Sequence, residues 1–439
     1  MTQMNYYSLR EQSPPVTLEQ ALMHGLAPDG GLYFPERLPR FTTEEIEQLR
    51  GRRERLGPDD QRGFLQEVGY QVLLKWFGQE IERTALREIV IGAQSFPVPI
   101  REVGEFQMLE LFHGPTMAFK DVAARYLARL MAYFLRKRGE QALLLVATSG
   151  DTGGAIAHGF SDIDNIQVVV LFPKSKVSKL QEEQLTRVAD NVVPVEVDGV
   201  FDDCQALVKQ AFVHPRLQHL NLTSANSINI GRLIPQIIYY VYAYFQLGHS
   251  DLEIVVPSGN FGNLTAGLFA REMGVPLPRF IAATNRNDAV VRYYQSGVYD
   301  PSATVQTLST AMDVGAPSNF ARILELFNHD LERFRRVLSA FSIDDSETVR
   351  TIHHVQERYG YLLCPHSAVG WGVAARHGNP ELKQLVLATA SPLKFADELR
   401  AAAGIAVDDS EEIQHLQTRP KRKVSIPNRI EALAELLLS

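Results

Sequence analysis

Cysteine is nearly missing from this chain of 439 residues: Cys204 and Cys364 stand far apart, without metal-ligand spacing. That excludes a disulfide framework and a cysteine-based metal site, and it fits a reducing compartment in which both are small core residues. An excess of positive charge is missing too. The net charge of −7 argues against nucleic acid or an anionic membrane as partner. Long apolar runs are absent; the longest, 142–147 and 237–245, fall far short of a bilayer span. The opening MTQMNYYSLREQ has no basic region leading into an apolar run. No secretory leader is therefore expected, and a cytoplasmic location is. What is present is an ordinary globular composition, 45% apolar and 22% charged, long enough for two or three domains.

Residues 1–95 read differently from the rest. A turn-rich stretch, GLAPDGGLYFP at 25–35, is followed by two charged helical stretches around 43–55 and 60–86. The segment carries no visible chemistry and reads as an N-terminal accessory domain, ending at the proline-containing link 95–99. From 96 to 439, short runs rich in Val, Ile and Leu alternate with helical patterns. Runs at 142–147, 167–172, 192–197, 253–256, 280–283 and 385–388 predict strands buried on both faces, the pattern of a parallel sheet covered by helices. Pro194 makes 192–197 an expected edge strand. The class is α/β.

Lys120 opens a helix predicted over 120–138. Its apolar stripe at Ala123, Leu127, Leu130 and Phe134 places Lys120 on the buried face, in the first turn. Burial lowers a lysine pKa toward the neutral amine that Schiff-base chemistry needs. Alone, such a lysine would be a stem snorkelling from the core edge. Three further segments point elsewhere. Two strand–loop–helix junctions, Thr148-Ser149-Gly150-Asp151-Thr152-Gly153-Gly154 and Pro257-Ser258-Gly259-Asn260-Phe261-Gly262-Asn263, set glycines ahead of a helix where N–H groups converge on an anion. Neither is a Walker A loop or a G-x-G-x-x-G turn. Asp151 would repel a phosphate in the first loop, whereas the second has no charge, so Gly259, Asn260, Phe261, Gly262 and Asn263 are the expected phosphate cup. Ser149 and Thr152 remain as hydroxyl donors for an uncharged or carboxylate group. The fourth segment, 221–232, is rich in Ser and Asn and leads into an apolar helix predicted over 233–245. It sets Arg232 where it would either lie at the surface or fork onto a phosphate or carboxylate. Together these parts suggest pyridoxal 5'-phosphate. No metal is expected.

Several stretches, in order along the chain, resemble threonine synthase motifs: FHGPTMAFKD at 112–121, ATSGDTG at 147–153, NLTSANSINIGR at 221–232, PSGNFGNLTAG at 257–267 and LSTAMD at 308–313. The N-terminal GLAPDGGLYFPERLP is similar to that family's start. The resemblance implies a fold-type-II pyridoxal phosphate enzyme with two interleaved α/β subdomains in 96–439. It also implies conversion of O-phospho-L-homoserine and water to L-threonine and phosphate. By the same resemblance Lys120 is the Schiff-base lysine and proton shuttle, and 259–263 hold the cofactor phosphate. Thr389 meets the pyridine nitrogen, Ser149 and Thr152 lie at the substrate carboxylate, and Ser227 and Arg232 take the substrate phosphate. One departure stands out. Where the family commonly reads Thr-Ala-His-Pro-Ala-Lys-Phe, this chain has Thr389-Ala390-Ser391-Pro392-Leu393-Lys394-Phe395. Three alternatives stay open: a phospho-lyase releasing a 2-keto acid, another pyridoxal phosphate replacement enzyme, and a non-catalytic ligand-binding relative. Monomer and homodimer are both open.

Overall fold

The computed structural model describes residues 4–56, 60–148, 150–248, 251–407 and 411–438. Three sheets organise it. The smallest pairs β1 (Tyr6–Ser8) with β2 (Tyr33–Pro35), antiparallel. The chain then builds the hairpin β3 (Ile100–Val103) and β4 (Phe106–Glu110), crosses to a second sheet for β5 (Ala142–Ala147), β6 (Ile166–Pro173), β7 (Val192–Asp198) and β8 (Leu222–Thr223), and returns for β9 (Leu252–Pro257), β10 (Arg279–Thr284), β11 (Leu338–Ser342) and β12 (Lys383–Ala388). It ends on the second sheet with β13 (Val424–Pro427). The orders are β11-β10-β9-β12-β4-β3 and β13-β7-β6-β5-β8. Every pairing in the two large sheets is parallel except β3 with β4. Two α/β units are thus interleaved in one chain, and their strands are buried because helices cover both faces.

The predicted helix at 120–138 is present as Lys120–Arg138 and stops at Gly139, whose φ of 67° supplies the left-handed cap. The helical stretch expected over 60–86 is two helices, Gln61–Phe77 and Arg83–Ala93. Gly78 caps the first; a Cβ there would lie 2.4 Å from the Leu74 carbonyl oxygen. The helix expected over 233–245 is likewise divided. Ile230–Leu233 is a single α turn, Ile234–Gln236 is a 3-10 turn holding Pro235, and the apolar body is Ile237–Leu247. Pro235 has no N–H to continue the first turn's ladder.

β7 is not the edge strand that Pro194 suggested, because β13 pairs beside it. The N–H groups of Val168 and Lys174 donate to the Asn191 and Val197 carbonyls, so odd-numbered residues of β7 face β6. Pro194 therefore faces the other way, and the β13 register begins only at Val195. Its missing N–H removes no ladder bond.

Residues 4–93 pack against the rest of the molecule. They share one continuous core with the sheets and with Lys120–Arg138. Phe64 packs on Tyr242 and Phe245, and Trp76 stacks on Phe269 at 6.1 Å between ring centroids. Fully buried Arg322 donates to the Tyr33 and Ile228 carbonyls and to Asn319 Oδ1 at 2.6 Å. That fastens β2 to the segment preceding Arg232.

Candidate active site

The carboxyl ends of β4, β5, β8, β9 and β12 all lead into the segments singled out in the sequence, the end of a parallel sheet where ligands bind. After β4 the chain runs through Phe112–Phe119 to Lys120. A bridge between Ala118 and Ala390 ties this run to the segment after β12, and the Phe119 N–H donates to the Thr389 carbonyl at 2.9 Å. Thr389, buried, is thereby fixed next to the approach to Lys120.

The Lys120 side chain is 15% exposed and its Nζ is 3.4 Å from Asp151 Oδ2. Burial lowers its pKa, Asp151 opposes that, and Lys394 and Arg232 add to the lowering. Asp151 opens the helix Asp151–Gly159 after β5. Its Oδ1 is 3.0 Å from Lys394 Nζ and accepts from Gln181 Nε2 at 3.1 Å. Burial alone would push the carboxyl up, but Lys394 and Lys120 outweigh it and hold it well below the ordinary carboxylate range. The sequence reading set Asp151 against a phosphate as an unbalanced charge. In the fold that charge is answered by two lysines.

A different feature separates the two loops. The hydroxyl of Thr148 accepts the N–H groups of Gly150 and Gly153, at 2.9 and 2.8 Å. Much of the first loop's donor capacity is spent inside the loop. The second loop behaves otherwise. Phe261 sits in the left-handed region at φ 60° as N-cap of Gly262–Glu272, with no side-chain cap bond, so the N–H groups of Gly262, Asn263 and Leu264 gain no side-chain cap. A Cβ on Gly259 would lie 2.7 Å from Met312 Cα, so only glycine allows the 308–313 segment to close on the cup. Asn260 Nδ2 donates to Ser227 Oγ at 2.8 Å, and its Oδ1 accepts the Ser318 N–H at 2.6 Å. Asn263 is held differently. Tyr239 and Tyr240 both donate to its Oδ1 at 2.6 Å, while its buried Nδ2 has no partner. These open donors fit the phosphate of pyridoxal phosphate.

Arg232 is 4% exposed. Its Nη1 donates to the Ala225 carbonyl at 2.8 Å, and its buried Nε has no partner. Burial lowers its pKa to about 10. Ser227, through Asn260, joins this segment to the cup. Thr152 is half-buried at the second position of its helix, beside Asp151. Ser149 lies outside the described residues.

The structure also brings in residues to which the sequence reading gave no role. His366 lies buried with its Nε2 accepting the Ala311 N–H at 3.0 Å, and its ring meets Phe395 at 4.6 Å. Burial lowers its pKa to about 4, so it is neutral. Ser391, at the position where the family commonly has histidine, uses its hydroxyl to accept the Leu393 N–H and cap the turn that carries Lys394. For Lys394 the sequence offered one signal, a lysine set between the apolar Leu393 and Phe395.

Comparison with known proteins identifies the family. The family described as "Pyridoxal-phosphate dependent enzyme" matches residues 99–390. "Threonine synthase N terminus" matches 5–94, and "Threonine synthase, C-terminal" matches 367–437. The threonine synthase of Escherichia coli K12 is 40% identical, over 99% of this chain and 100% of its own length. That of Serratia marcescens is 42% identical over 91% of each. The crystal structure of pyridoxal phosphate-bound threonine synthase from Brucella melitensis superposes with a TM-score of 0.92 at 37% identity, covering 99% of this chain and 98% of that one. On these grounds the chain belongs to the threonine synthases, within the pyridoxal-phosphate dependent enzymes.

Proposed function

We propose that this threonine synthase makes L-threonine and phosphate from O-phospho-L-homoserine and water, with Lys120 as the residue that carries pyridoxal 5'-phosphate. The observation that carries the reading is a largely buried lysine amine, with a donor-rich helix start and a buried guanidinium whose Nε has no partner. Gly259, Asn260, Phe261, Gly262 and Asn263 would hold the cofactor phosphate, and Thr389 would meet its ring nitrogen. Bound pyridoxal phosphate supplies the electron sink that acidifies substrate Cα and then Cβ. Once displaced by the substrate amine, Lys120 is the base that takes and returns protons at those carbons. Arg232, with its free Nε, and Ser227 take the substrate phosphate and stabilise it as it leaves from Cγ. Ser149 and Thr152 hold the substrate carboxylate or the water that adds at Cβ, with bulk water excluded.

Two coarser points complete the proposal. The division at about residue 95 is supported by the separate family matches on either side of it. A cytoplasmic setting is supported by the two isolated cysteines, both free; among the described residues no helix is long and apolar enough to cross a membrane. The test is to incubate the purified protein with O-phospho-L-homoserine and identify the products. Threonine and phosphate in equal amounts support the synthase. Phosphate with 2-ketobutyrate in place of threonine would make it a phospho-lyase.

A further inference from the structure

Lys394 belongs to none of the roles above, yet it is among the most completely enclosed charges in the molecule. Its side chain is 0% exposed in the 3-10 turn Pro392–Phe395. Its ammonium donates to the Thr116 carbonyl at 2.8 Å and to Gln184 Oε1 at 3.1 Å, and lies 3.0 Å from Asp151 Oδ1. An ammonium with three acceptors in a closed site cannot swing away without leaving those acceptors unsatisfied. The other Asp151 oxygen, Oδ2, is 3.4 Å from Lys120 Nζ. One buried carboxylate thus stands between two lysines. Lys394 and Asp151 together are neutral, so Lys120 as a free amine leaves the cluster without net charge. Lys120 as an ammonium gives it a buried positive charge. We propose that Lys394 is a positioning residue: it takes up the charge of Asp151, so that the carboxylate orients Lys120 without fixing it as a permanent ammonium.

The surrounding groups bear on this balance unequally, with Asp121 also facing Lys394. Asp121, on the helix that Lys120 begins, accepts from the Thr116 N–H and hydroxyl. His366 is occupied as acceptor of the Ala311 N–H, and His158 Nε2 is paired with the Gln184 carbonyl at 3.0 Å. Burial raises the pKa of Glu398, the next acid toward Asp151. Arg232 is a second cation facing Lys120, and it acts in the same direction as Lys394.

The inference rests on Lys120 being the cofactor lysine, and the experiment separates the two claims. The full-length protein is freed of cofactor, and the Lys120 amine is titrated by competitive acetylation across pH, with mass-spectrometric readout. Pyridoxal phosphate is then added and fixed with borohydride to identify the modified lysine. Lys394→Met leaves Asp151 to Lys120 alone and should raise the labelling midpoint by about one pH unit or more. Asp151→Asn should lower it, and the double variant should return close to the original value. Lys394→Gln, which keeps hydrogen-bonding capacity without charge, should shift upward like Lys394→Met and serves if the latter fails to fold. A midpoint unmoved by loss of the Lys394 charge, with Lys120 still the tagged residue, overturns the inference alone. Borohydride tagging of another lysine overturns the reading beneath it as well.

Discussion

A buried cation acts through the partners it lacks as much as through those it has. Lys120 has one long contact to a carboxylate already claimed by a second lysine, so its amine is available for covalent work. Lys120→Ala should abolish both turnover and the visible absorbance of the covalently held cofactor. An absorption spectrum unchanged in that variant would show that another amine carries it. Arg232 is the complementary case, a guanidinium bonded to one carbonyl with an orphaned Nε. Such an orphan is costly in the ligand-free fold and is satisfied when an anion arrives. Arg232→Ala should retain the cofactor and lose roughly 2–5 kcal/mol of O-phospho-L-homoserine binding, the range for breaking a buried charge-assisted pair. Equilibrium binding to the variant, with cofactor absorbance as the control, tests this; loss of cofactor in its place would exchange the assignments of the two anion sites.

At the level of elements, what differs between the two glycine-rich loops is how their N–H groups are used. Thr148 consumes donors of the first, whereas the helix Gly262–Glu272 starts without a side-chain cap. Gly262→Asp tests this difference. A Cβ at Gly262 would lie 3.3 Å from Nδ2 of buried Asn319, which is itself held by the Asn260 carbonyl and by Arg322, so the substitution also crowds the cup. An acid in a helix's first turn favours the helix dipole. Gly262→Asn, which brings the same crowding without the charge, is the control, while the carboxylate of Gly262→Asp repels the cofactor phosphate. Pyridoxal phosphate retention, measured by dialysis and absorbance, should fall at least tenfold, with on the order of 1.4 kcal/mol of repulsion sufficient for that. Unchanged retention would move the phosphate site elsewhere. Five strands behave as the sequence pattern required. The runs in β5, β6, β9, β10 and β12 became parallel strands because their centres are apolar, the polar Gln167, Glu253 and Gln384 each standing second in its strand.

For the molecule as a whole, the buried histidines set its response to acid. Burial lowers the pKa of His158 and of His366, each to about 4, against an ordinary value near 6.5. Between those pH values the unfolded chain binds protons that the folded chain refuses. Stability should therefore fall as pH drops from about 6.5 to 4, by about 1.4 kcal/mol per pH unit for each such histidine. Urea unfolding of the protein and of His158→Gln across this range checks the sign. The variant should show a shallower acid limb, and an identical slope would mean that His158 is charged in the fold.

Sequence alone determined the α/β class, six strands of the two large sheets, the helix beginning at Lys120 and the loops that approach it. Each is a local pattern repeating every two or three to four residues, or a contiguous motif, and local backbone preference is enough to express it. Charge balance was beyond its reach. Lys394 meets the Thr116 carbonyl across 278 positions and Gln184 across 210, and no spacing rule joins such residues. The same holds for β13, which covers β7 and leaves Pro194 harmless, and for the 3-10 turn that divides the helix after Arg232. Which buried charge is paired, and which N–H is left free for a ligand, is settled when distant segments exclude water from one another. Only the tertiary structure decides that, because the cost of an unsatisfied group arises from its burial.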